Sequence, residues 1–243
     1  MEKEFIPEIT INNKSERKEV EIDGAKQIVE VPAKKGFNIR TKNLSGEFSK
    51  EYFQEEIEAV ILFDRYKIQS KYNSKPMYGS NEFEFSGDRN KLRVYSYDEK
   101  QVLYEGDYAG AKEAFATGEM SPTGTPKKSF DVFSILYIAI GEEVYRFKQK
   151  MNQNNLWFDY KSNTEDSRDD KNFRGINTKF DLEKKQFGDN EFWVCTLQNI
   201  GVVKKEDYDT MAEELEKELD KPYEKPVDLA SMGTEVKVED IPF

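Results

Sequence analysis

Apolar and polar residues alternate in short stretches over the first 43 positions. The stretches are Ile9-Thr10-Ile11, then Glu19-Val20-Glu21-Ile22 ending at Asp23-Gly24, then Ile28-Val29-Glu30-Val31 stopped by Pro32. A period of two sends successive side chains to opposite faces of an extended chain, so this region predicts a meander of short strands. Residues 49–56 predict a brief helical turn capped by Ser49, and the β-branched and aromatic run from Ile57 to Ile68 predicts a long strand. A loop over 71–81, holding Pro76 and Gly79, leads to strands at 82–86 and 92–97 that turn at Gly87-Asp88. A further strand covers 101–105.

The period then lengthens. Tyr108, Ala111 and Phe115 are spaced as one face of a short helix that Asp107 caps and Gly118 ends. A loop at 119–128, rich in Pro, Thr and Gly, precedes Phe130 to Ile140, which is apolar enough for a central strand; Gly141-Glu142 turns it into a partner at 144–148. Strands are predicted at 156–160 and within 180–203, with a polar mobile loop at 163–172 between them. Residues 206–220 read as a charged helix with Tyr208, Met211, Leu215 and Leu219 on one face, ended by Pro222. Several strands, a short helix and two more strands is the order of a five-stranded OB barrel. The expected fold is mainly β: an OB-fold barrel with additional amino- and carboxy-terminal strands, a short barrel helix and a carboxy-terminal helix. The expected division is an OB-fold domain over 1–205, a charged helix over 206–220 and a flexible acidic tail over 221–243.

Composition narrows the chemistry. The chain has no histidine and one cysteine, so it cannot assemble a Ser/His/Asp triad, a Cys/His dyad or a His-containing zinc site. Cys195 sits in the apolar run Phe192-Trp193-Val194-Cys195 and reads as a buried, inert thiol. No metal and no cofactor is expected. The longest strongly apolar run, Ile135 to Ile140, is far short of the roughly 20 residues that span a bilayer. Met1-Glu2-Lys3-Glu4 does not resemble a signal peptide, and the expectation is a cytoplasmic protein with no membrane partner. Of the net charge of −11, residues 206–243 hold thirteen acids against four lysines, leaving 35 acids and 33 bases in residues 1–205. The body is nearly neutral, so the overall acidity does not exclude a polyphosphate partner, which needs only a local basic groove.

The chain ends Glu239-Asp240-Ile241-Pro242-Phe243. This resembles the carboxy-terminal tip of the bacterial single-stranded DNA-binding protein family, whose members end in acids followed by Ile-Pro-Phe. In length and plan the chain is similar to phage single-stranded DNA-binding proteins, which pair one OB domain with an acidic tail ending in Phe. The resemblance implies a tip that docks replication, recombination or repair enzymes in a bacterial or phage-infected cell. Phe243 would bring a ring and a carboxylate to a basic, apolar pocket, Pro242 would stiffen the approach, Ile241 would add apolar contact, and Glu239 and Asp240 would meet basic residues at the rim. A frayed end, or a terminal strand packed on its own domain, is the alternative. Lys237 interrupts the acids, and the linker is short and poor in Gly and Gln.

Binding single strands without sequence choice needs rings for bases and cations for phosphates. The body interleaves them at Arg65-Tyr66-Lys67, Lys71-Tyr72, Lys91 to Tyr97, Tyr145-Arg146-Phe147-Lys148 and Trp157 to Lys161. A period of two puts Lys91, Arg93, Tyr95 and Tyr97 on one face, which reads either as a binding surface or as a solvated sheet face. Lys127 and Lys128 read either as a clamp or as a solvated loop; the spacing from Gly118 to Gly124 does not fit a phosphate-binding loop. Trp157 and Trp193 read as base-stacking or, more simply, as core. The expected DNA contacts are Arg65, Tyr66, Lys67, Lys71, Tyr72, Lys91, Arg93, Tyr95, Tyr97, Lys127, Lys128, Arg146, Lys148 and Trp157. The expected function is single-stranded DNA binding with recruitment of enzymes through the tip, with self-association left open. An adaptor that borrows the same docking pockets without binding DNA is the alternative. A metal-dependent nuclease would need Glu183-Lys184-Lys185 with Asp170 or Asp181, a match as short as the accidental Glu16-Arg17-Lys18; the chain is not expected to be an enzyme.

Overall fold

The structure is a computed structural model that describes residues 6–220 apart from 14–15, 23–24, 32, 43–47, 54, 72–76, 98–100, 151–153, 167–173, 189 and 204. Among the described residues, eleven strands form one mixed sheet. Its centre is β6 (Ile57–Ser70), β12 (Phe130–Ile140) and β13 (Glu143–Lys150), paired antiparallel in the order β6-β12-β13. These are the apolar runs marked in the sequence. Gly141, at φ 63°, supplies the left-handed backbone of the two-residue turn between β12 and β13. Outward from β13 lie β1 (Glu8–Ile11), β4 (Phe37–Lys42) and β5 (Phe48–Tyr52).

The other edge of β6 has two sets of neighbours. Its start pairs with β14 (Ile176–Phe187), which forms a long hairpin with β15 (Asn190–Val202). Its end pairs with β7 (Tyr78–Ser80), followed by β8 (Leu92–Ser96) and β9 (Val102–Gly106). Two hairpins stand outside the sheet: β2 (Glu16–Ile22) with β3 (Ala25–Val31), and β10 (Ala116–Met120) with β11 (Pro126–Lys128).

The sheet is not a barrel, which corrects the OB-fold expectation. A barrel requires its last strand to hydrogen-bond back onto an earlier one. The outer edge of β13 is instead taken by β1 in parallel pairing, Glu8 opposite Arg146 and Ile9 opposite Phe147, and β4 and β5 continue away from it. The architecture is an open mainly-β sheet with three helices among the described residues.

Each face of the sheet has its own cover. On one face Ile57, Ala59, Ile61, Leu136, Ile138 and Phe147 pack with Phe37, Phe180 and Trp157 of α2 (Asn154–Asp166). On the opposite face Val60, Leu62, Phe63, Ile135, Tyr137 and Val144 lie under Ala212, Leu215 and Leu219 of α3 (Lys205–Leu219). The predicted charged helix is therefore part of the core. Its buried residues recur three and four apart, the spacing of one helix face. Leu215→Ala will lower the unfolding free energy by about 2–5 kcal/mol through the cavity it leaves, measured by urea denaturation. A third cluster, including Tyr66, Ile68, Phe83, Val94 and Phe130, lies against α1 (Tyr108–Ala114), which Asp107 caps by accepting from the Gly110 amide as its spacing predicts.

Several local expectations are also corrected. Residues 48–52 form β5, paired with β4, where a helical turn was expected. Residues 156–160 belong to α2 rather than to a strand: Trp157, Tyr160, Lys161 and Thr164 recur at helical spacing, and Trp157 and Thr164 are buried. The stretch 82–86 provides a single bridge, Phe83 to Tyr66, and the 119–128 loop is mostly the β10-β11 hairpin.

Candidate nucleic-acid interface

Residues directly opposite in an antiparallel ladder project to the same side. On β12, Phe133 lies between Lys67 of β6 and Lys150 of β13, Ile135 between Arg65 and Lys148, and Tyr137 between Phe63 and Arg146. Helix α3 covers the Phe63 and Tyr137 end of this face. The Lys67 and Phe133 end carries no helix among the described residues, and Lys67, Phe133 and Lys148 are each half-buried. The Lys148 ammonium lies 4.6 Å from the Phe133 ring centre.

The same face continues through Gln69, opposite Gly79 of β7, to Tyr95 of β8. The Tyr95 and Tyr97 rings stand edge to face, 6.0 Å apart. Leu92, Val94 and Ser96 are buried on the other side of β8, which is the alternation that the sequence shows. A Cβ on Gly79 would overlap the Tyr97 hydroxyl oxygen, so the tyrosine lies across the bare backbone of β7. Gly79→Ala will displace that ring. The expected results are altered near-ultraviolet circular dichroism with an unchanged far-ultraviolet spectrum, and a loss of oligo-dT affinity of at most the roughly 1–3 kcal/mol that one stacked base supplies.

The electrostatics of this face are uneven. Lys150 pairs with Asp131 at 2.8 Å, and Arg146 lies 3.4 Å from Glu82 and 3.8 Å from Glu8. Among the described residues Lys67 and Lys148 have no carboxylate within 4.0 Å. Burial, and then the neighbouring Lys148, hold the Lys67 ammonium below the usual lysine range. Burial lowers Lys148 too, and Arg146 and Arg40 add to the effect against the opposing pull of Glu8. Arg40 of β4, opposite Glu8, extends the cationic side of the face and is exposed.

The register thus brings Lys67, Arg93, Tyr95, Tyr97, Arg146 and Lys148 to one face. Lys71 and Lys91 are exposed; Arg93 is exposed and lies 3.8 Å from Glu105. Lys127 is exposed and paired with Glu119 at 3.0 Å, while Lys128 is half-buried. Three expected contacts are withdrawn from solvent, which is a correction. Arg65 is buried and bonded to Glu84 and, at 3.2 Å, to Glu216. Tyr66 is buried with its hydroxyl donating to Asp64 at 2.6 Å, and burial first, then Asp64, push its ionisation far up. Trp157 is fully buried and its indole donates to Asp64 at 3.2 Å. Tyr72 and the tip residues Glu239, Asp240, Ile241, Pro242 and Phe243 lie outside the described residues.

Phe133 lies within Phe130 to Ile140, a run apolar enough for a central strand, and nothing in that apolarity marks it as a surface ring. Asp131 two positions earlier, on the same strand face, is the signal that this half of β12 faces something polar. Trp193 is half-buried and donates to the Ala33 carbonyl at 3.0 Å. Cys195 is buried, and burial pushes its thiol well up. Of the nuclease candidates, Asp181 is bonded to Lys35 at 2.9 Å and Glu183 to Lys185 at 2.9 Å, and Asp170 lies outside the described residues. Among the described residues no group of three or more Cys, Asp and Glu is placed to hold a metal ion, and no helix is long and apolar enough to cross a membrane. No family model, curated protein or solved structure matches the chain.

Proposed function

We propose that the open face of the sheet binds single-stranded DNA without sequence specificity, and that the segment Glu239 to Phe243 recruits replication, recombination or repair enzymes. One observation carries the first half. Lys67 and Lys148 flank Phe133 with no carboxylate in pairing range among the described residues, and burial, with Lys148 beside Lys67, disfavours the charge on each ammonium. Two like charges at the floor of a polar face fit an anion, and a flat ring between them fits a base whose phosphate lies beside it. Tyr95 and Tyr97 offer further rings on the same face. Stacking on rings requires unpaired bases and tolerates any of them, which favours single strands over duplex and no sequence choice.

Titration with oligo-dT at two salt concentrations tests this reading through quenching of intrinsic tyrosine and tryptophan fluorescence. Affinity should fall steeply with salt, because each neutralised phosphate releases counterions. Absent or salt-insensitive binding would reject it and leave an adaptor. For the recruiting half, deleting Ile241 to Phe243 should leave oligo-dT binding intact or tighter and abolish capture of a replication or repair enzyme. Weaker DNA binding would count against that division of labour.

A further inference from the structure

We propose that Tyr108, Lys112 and Lys128 form a second contact for the same single strand, a phosphate site beside a ring, reached over the end of the β6-β12 ladder. This rests on the reading of the sheet face given above. The Lys112 ammonium lies 5.3 Å and the Lys128 ammonium 5.6 Å from the Tyr108 ring centre. Lys128 donates to the Tyr108 hydroxyl at 3.0 Å and lies 5.0 Å from the Phe130 ring centre. Neither lysine has a carboxylate within 4.0 Å among the described residues, whereas the adjacent Lys127 is paired with Glu119. Two cations thus lie beside one neutral ring. A ring or its hydroxyl attracts a cation but leaves its charge uncompensated; a phosphate compensates it.

The two contacts are linked along the surface. Lys67 and Gln69 fall on one side of β6 by the strand period, and Lys71 follows directly on its last residue, Ser70. Lys71 is exposed, and its amide donates to the Ser129 carbonyl at 3.0 Å, directly beside Lys128. From Lys67 to Lys71 the rise is about 14 Å at roughly 3.4 Å per residue. A strand running past Lys71 must leave the sheet face and turn over the ladder end towards α1 and β11. Duplex DNA, with a persistence length of about 150 base pairs, resists a turn of that radius, and an unpaired strand does not. The second contact therefore selects single strands by shape and makes affinity grow with length.

The test uses the full chain and oligo-dT carrying photoreactive iododeoxyuridine, at about 4 and about 16 nucleotides, the limits of site size for single-strand-binding folds. Crosslinks are expected on Phe133, Tyr95 or Tyr97 with both lengths, and on Tyr108 with the long one alone. In parallel, Lys112→Ala with Lys128→Ala should weaken binding of the long oligomer about tenfold. It should also lower the slope of log affinity against log salt by about 0.7, the value for one phosphate on a single strand. Crosslinks on the sheet rings with none on Tyr108, and an unchanged salt slope, would overturn the second contact and leave the sheet-face reading standing. Crosslinks on neither set would overturn both.

Discussion

The Lys67→Ala, Lys148→Ala double variant will bind oligo-dT about a hundred-fold more weakly than the natural chain, with a salt slope shallower by about 0.7, the value for the one phosphate they share. A hydrogen bond to a charged group contributes about 1.5–3 kcal/mol, and two at the low end of that range amount to a hundred-fold. The slope separates charge from shape, since lost packing alone would weaken binding at every salt concentration equally. The folded protein should tolerate the change, because these lysines have no carboxylate within 4.0 Å to strand among the described residues.

The pH dependence has a definite sign. Both ammoniums are held below the ordinary 10.5. Between each lowered value and 10.5 the unfolded chain binds more protons than the folded one, so stability rises with pH through that window. The proposed affinity for DNA should run the opposite way, since a phosphate favours the ammonium and loses it as pH rises past each lowered value. Replacing both lysines should flatten these two dependences together. Unchanged oligo-dT affinity in the double variant would place the strand elsewhere on the molecule.

Asp64→Ala will lower the unfolding free energy by about 3–5 kcal/mol. The Asp64 carboxylate is buried in the β6-β12 ladder beneath α2, where it accepts from the Tyr66 hydroxyl at 2.6 Å, the Trp157 indole at 3.2 Å and the Lys161 ammonium at 3.0 Å. Alanine removes the buried acceptor that Tyr66, Trp157 and Lys161 share, and each hydrogen bond lost to a charged group costs about 1.5–3 kcal/mol. Asp64→Asn retains one acceptor oxygen and should lose less. At about 2–4 °C per kcal/mol for a chain of this size, the midpoint of thermal unfolding should drop by roughly 10 °C. A loss below about 1 kcal/mol would mean that α2 is held by its apolar side alone.

Arg65, Lys67 and Tyr66 are consecutive, yet they meet different fates. Alternation sends Tyr66 to the face under α2 and both cations to the other face. There, Glu84 and Glu216 enclose Arg65, and Lys67 lies beyond the reach of α3. A cation beside a ring in the sequence therefore names a candidate without locating it. Trp157 shows the same limit: its aromatic neighbours imitate a strand, and only the docking of its indole on Asp64, 93 positions earlier, reveals the helix face.

By itself the sequence determined what depends on neighbouring residues. That covers the long apolar strands, the Asp107-capped helix, the amphipathic face of the charged helix, the alternation on either side of Tyr95, and the separation of a near-neutral body from an acidic end. Strand period, capping and composition act over a few residues and need no knowledge of the rest of the chain. The tertiary structure decided what depends on distant partners. The parallel docking of Glu8 and Ile9 against Arg146 and Phe147 uses the edge a barrel would have closed, and register across β6, β12 and β13 carries Lys67, Phe133 and Lys148 to one place. Backbone hydrogen bonds form alike between any two strands and each cross-strand side-chain pair adds only about 0.2–1 kcal/mol, so the choice of neighbour, and with it the composition of each face, is made by the packing of the whole sheet.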